Sequence, residues 1–78
     1  MRLMVLPAVT PVKAAIAACT DAGVGAAVVL GDDPGDLIAA LVAAGLRAVS
    51  YSGDSTDSEL AEMVAELFGD DAELILRQ

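Results

Sequence analysis

Ala26-Ala27-Val28-Val29-Leu30-Gly31-Asp32-Asp33-Pro34-Gly35-Asp36-Leu37-Ile38 (residues 26–38) is the stretch that decides the fold. Five apolar residues in a row suit a strand covered on both faces, the usual state of a parallel strand. A polar turn follows. Asp33 then stands before Pro34, which places a capping carboxylate ahead of a residue whose fixed φ suits the first helical position. The same carboxylate meets the positive end of the helix dipole. Leu37, Ile38, Leu41 and Val42 continue at helical spacing. Gly45 stops the helix by taking the left-handed conformation past its last turn.

The same unit recurs on either side. Upstream, Leu3 to Leu6 is a second apolar run, Thr10-Pro11 repeats the cap, and Val12, Ala15, Ile16 and Cys19 share a helical face before Gly23. Downstream, Leu46 to Tyr51 is a more mixed strand, and Thr56-Asp57-Ser58-Glu59 matches a capping box. Leu60, Met63, Val64, Leu67 and Phe68 then form an apolar stripe that ends at Gly69. Residues 72 to 77 alternate, with Ala72, Leu74 and Leu76 against Glu73, Ile75 and Arg77, as in an edge strand. The helix starts Thr10, Asp33 and Thr56 are 23 residues apart in each case. A solenoid would also give a fixed period, but three units without polar end caps argue against one.

The order β-α-β-α-β-α-β predicts an α/β fold, a four-stranded parallel sheet with right-handed helical crossovers and helices on both faces. Residues 1–78 form one domain of a Rossmann-like or flavodoxin-like kind. The expected strand order is 2-1-3-4, which buries the first strand and leaves the last at an edge; 3-2-1-4 satisfies the same pattern.

Composition narrows the function classes. Apolar residues make up 56% of the chain, above the roughly 45–50% of typical domains, and the excess is Ala and Val. Only Tyr51 and Phe68 are aromatic, so the core is built of small side chains. Twelve acids against four bases give a net charge of −8. Arg2, Lys13, Arg47 and Arg77 form no basic footprint, so nucleic acid is not an expected partner. Anionic membranes are disfavoured too, and no apolar run approaches the ~20 residues of a membrane helix. Histidine is absent, which removes the commonest general base and metal ligand. The single cysteine forms no internal disulfide and fits a reducing, cytoplasmic setting. Ile16-Ala17-Ala18-Cys19 after Arg2 has the look of a lipoprotein signal, but Lys13, Pro7 and Pro11 interrupt its apolar region, and a mature domain is expected instead.

Ligands of open α/β sheets bind beyond the carboxyl ends of the strands, where strand order reverses. Under order 2-1-3-4 that crevice lies between the first and third strands. Thr10, Ser52, Gly53, Asp54 and Ser55 are therefore the candidate ligand-binding residues, suited to a small ligand or a nucleotide phosphate at a helix N-terminus. Neither G-x-G-x-x-G nor a P-loop is present. Asp32 and Asp33 are the candidate metal ligands, since hard cations favour carboxylate oxygens, and a phosphotransfer site would need Asp54 to join them. Val28 to Pro34 resembles the start of a response-regulator receiver domain, and Val28 to Gly53 resembles the first half of a Toprim domain. The first resemblance places its acidic pair after the second strand instead of the first. The second has Leu30 where that family has a Glu and lacks its later Asp-x-Asp pair. Neither family's activity carries over.

No cofactor is expected. Cys19 lies late on an apolar helical face with no histidine to activate it, so it is read as core. Two surfaces remain. Ala39, Ala40, Ala43 and Ala44 fill the second helix's other side, where another chain could approach closely; a homodimer is the expected partner there. Glu59, Glu62 and Glu66 form an acidic ridge without compensating Lys at i+4, suited to a basic protein. The expected function is a non-enzymatic interaction module that self-associates through the alanine-rich helix and binds a basic partner. Small-ligand or nucleotide-phosphate binding at the ends of the first and third strands is the alternative.

Overall fold

The computed structural model describes residues 1–76, so Arg77 of the alternating C-terminal pattern lies outside the described residues. Four strands, β1 (Arg2–Pro7), β2 (Ala26–Leu30), β3 (Arg47–Tyr51) and β4 (Glu73–Leu76), alternate with three helices, α1 (Val12–Ala22), α2 (Gly35–Ala43) and α3 (Ser58–Phe68). All strand pairs are parallel, and Val5 lies level with Val28 and Leu76, while Val28 is level with Val49.

The strand order is β3-β2-β1-β4. The expected order 2-1-3-4 is therefore corrected to 3-2-1-4. The reason lies in the apolar runs. β1 and β2 are both continuously apolar, and together they fill the two central places; Ala26, Ala27, Val28 and Val29 are all fully buried. The mixed sequence of β3 belongs at an edge, where one backbone flank faces water.

The order also distributes the helices. The first two crossovers step the same way, so right-handedness puts α1 and α2 on one face; the third steps back past two strands and puts α3 on the other. Met4, Leu6, Ala27 and Val29 pack under Ala15, Cys19, Leu37 and Leu41. Leu3, Ala26 and Val28 pack under Leu60 and Val64. A helix with its side chains is about 10–12 Å across, so α3 alone spans the middle of its face and leaves both flanks open.

None of the three expected side-chain caps forms. The residues before the helices are Pro11, Pro34 and Asp57, and none makes a side-chain cap bond. Thr10 is buried instead, and its N–H donates to the Pro7 carbonyl at 3.0 Å. The Thr56 capping box is replaced because the cap position falls one residue later, at Asp57, and α3 begins at Ser58. The helix stops hold better: Gly23 sits at φ 67° and Gly45 at φ 88°, backbone conformations that favour glycine. Three residues assigned to buried stripes are open, with Val12 40%, Val42 54% and Leu67 50% exposed.

Candidate functional site

The crevice expected between β1 and β3 is not assembled. β2 stands between those strands, which separates their ends by roughly 9–10 Å at ordinary strand spacing. Thr10 is buried after β1, whereas Ser52, Gly53 and Asp54 are exposed and Ser55 half-buried beyond β3. The polar groups of this second loop are largely spent on each other. Ser55 Oγ donates to Asp54 Oδ1 at 3.3 Å, and the Thr56 N–H donates to the same oxygen at 3.4 Å. The Asp57 carboxylate turns back to accept from the Asp54 N–H and the Tyr51 hydroxyl, both at 3.0 Å. A Cβ on Gly53 would run into the Tyr51 ring and that carboxylate, so a glycine lets the turn fold against the ring. Desolvation of the phenol, its hydrogen bond to Asp57, and the charges of Asp57 and Glu59 all push the Tyr51 hydroxyl above its ordinary value.

The corrected order makes β2 and β3 neighbours, with Leu30 level with Tyr51, and so brings the Asp32–Asp33 turn beside the Asp54 loop. Adjacency does not gather the acids. Among the described residues, no three His, Cys, Asp or Glu side chains come together as a metal ligand set. The Gly31 N–H donates to the Tyr51 carbonyl, and the Ala8 N–H donates to the Leu30 carbonyl, so these turns extend the sheet's ladder. Cys19 is fully buried on the core face of α1, and burial pushes its thiol up, away from the reactive thiolate.

Of the expected interface residues, Ala39, Ala43 and Ala44 are exposed and Ala40 is half-buried. Glu59, Glu62 and Glu66 are exposed, and no ion pair joins two side chains among the described residues. Arg47 lies over the Phe68 ring, 4.6 Å from its centroid.

A groove of about 570 Å³ runs along the free side of β3. The turn into α2, Asp33 and Pro34, and Ile38 in its first turn wall it on one face of the sheet, and α3 walls it on the other, through Met63 and Leu67. Its floor is the strand itself, Ala48-Val49-Ser50. The backbone there is aimed outward. The Arg47 N–H donates to the Gly25 carbonyl, and the Tyr51 carbonyl accepts from Gly31, so the odd positions of β3 face β2. Each residue of a strand presents its N–H and C=O to one side, so Ala48 and Ser50 turn theirs into the groove. Neither lysine nor proline blunts this edge, the usual protection against strand addition. Ile38, Met63 and Leu67 had been assigned to buried stripes, and β3 to the interior. The signal that marks this surface in the sequence is the mixed composition of residues 46–51.

No family model, curated protein or solved structure matches the chain. The class that fold and surface define is a three-layer α/β domain with an open, walled edge strand. No described helix is long and apolar enough to cross a membrane.

Proposed function

We propose that this chain is a non-enzymatic protein-interaction module that takes an extended segment of another polypeptide as a fifth strand beside β3. The observation that carries this is the pair of outward-facing backbone positions, Ala48 and Ser50, on the floor of an apolar groove. Main-chain hydrogen bonds at a free sheet edge supply affinity, and flanking side-chain pockets supply selectivity. The lack of histidine, the buried Cys19 and the split between the β1 and β3 loops support a binding role over a catalytic one.

The test is a panel of capped strand-length peptides, about six residues each, with alternating valines and with basic, neutral or acidic residues between them. Fluorescence anisotropy reads binding to the wild type and to Ala48→Pro. Proline at an outward position removes the edge donor without touching the ladder to β2. Support is a peptide bound by the wild type and lost in the variant. No bound peptide, or one indifferent to the proline, contradicts the proposal.

Self-association through α2 is a second reading. It is favoured by the exposure of Ala39, Val42 and Ala43 along one side of that helix, with Ala44 exposed just past its end. Light scattering across concentrations tests it, with Ala43→Glu as control. A dimer that separates in the variant supports it, and a monomer at every concentration contradicts it.

A further inference from the structure

We infer that the strand docking beside β3 is basic, an extended segment of another protein in which apolar residues alternate with Lys or Arg. This rests on the docking role proposed above and names the chemistry of the occupant. At 100° per residue, Met63 and Leu67 lie on α3 between its buried line, Leu60 and Val64, and the ridge of Glu59, Glu62 and Glu66. The ridge is therefore the outer rim of the groove on that face. On the other face Asp33 lines the groove itself.

Among the described residues Arg47 is the base that lies near these acids, at the opening end of β3 with its guanidinium over Phe68. A docked strand sends successive side chains to opposite faces, and each face offers it an apolar wall and an acidic rim. With valine-like side chains over Ile38 on the α2 face, the cationic ones fall on the α3 face, where their stems lie over Met63 and Leu67 and their charges reach the ridge. A second copy of this chain fits worse. It would bring another net charge of −8 and a second uncompensated ridge against the first. A basic strand relieves the ridge's self-repulsion instead.

Two capped peptides with the same alternating valines separate the possibilities, one with lysine and one with glutamate at the intervening positions. Both are titrated by anisotropy into wild type, Ala48→Pro, and the triple variant Glu59→Gln, Glu62→Gln, Glu66→Gln. The lysine peptide is expected to bind, to weaken about tenfold or more in the triple variant and with added salt, and to be lost in Ala48→Pro. Equal binding of the glutamate peptide, or a lysine peptide indifferent to the triple variant, overturns the basic preference while leaving strand docking in place. A lysine peptide indifferent to the proline overturns both, because it then sits on the ridge alone. Circular dichroism confirms that the proline variant is folded. If it is not, Leu67→Ala, which removes one apolar wall at a half-exposed position, takes its place with the same expected loss in direction.

Discussion

β2 and β3 are adjacent strands of five residues each, yet their surroundings are opposite. β2 lies between two strands and under helices on both faces, and its first four residues are fully buried. β3 has one neighbour, and its flank is reached by the start of α2 on one face and the side of α3 on the other. In a domain with three helices for two faces, coverage runs out at the edges. The centre holds the fold together, and the edge is left available for binding.

The comparison breaks most sharply where a charge is forced under the covered face. Leu41 is fully buried against the sheet, so Leu41→Asp is expected to abolish folding, as read by loss of the cooperative transition in urea. Survival of a folded domain would mean that α2 is not packed as described. Truncation grades the same contrast. Leu41→Ala is expected to cost about 2–5 kcal/mol, and Leu67→Ala on the groove wall within about 0.5 kcal/mol, both by denaturant midpoint. Similar costs at the two positions would put the groove inside the core.

A smaller effect tests the corner where β3 meets α3. Asp57→Ala is expected to cost about 1 kcal/mol, since its carboxylate accepts from both the Tyr51 hydroxyl and the Asp54 amide. Thr56→Ala should be nearly silent, and the reverse ranking would restore the capping box. The least effect is on pH dependence. Cys19 and Tyr51 both hold their protons more tightly when folded, with ordinary values of 9.0 and 10.0. Their contribution is complete below those values and is lost as pH rises through the higher folded ones. Thermal midpoints should fall on the alkaline side of pH 9 to 10, and less steeply in Tyr51→Phe. An identical slope in that variant would remove Tyr51 from the explanation.

Much of the fold was legible because apolar runs and stop signals act locally. Ala26–Leu30 was bounded to the residue, and Gly23 and Gly45 take the positive φ their positions implied. Strand order was not, since it depends on which of several apolar runs pair centrally. The caps failed for a related reason: Thr10 was drawn into the interior, and Asp57 was committed to Tyr51 by a contact with no sequence periodicity. The ligand crevice failed with the strand order that defined it. The groove was hidden because Met63 and Leu67 carry the helical spacing of core residues, and only the sheet's edge decides which of them water reaches.

The central claim is that the outer side of β3 is open, and amide hydrogen exchange of the free protein, followed by NMR, tests it most directly. The amides of Ala48 and Ser50 should exchange orders of magnitude faster than those of Val49 and Tyr51, which point at β2. Protection of Ala48 and Ser50 equal to that of their neighbours would mean the edge is already covered, and the docking surface would not exist.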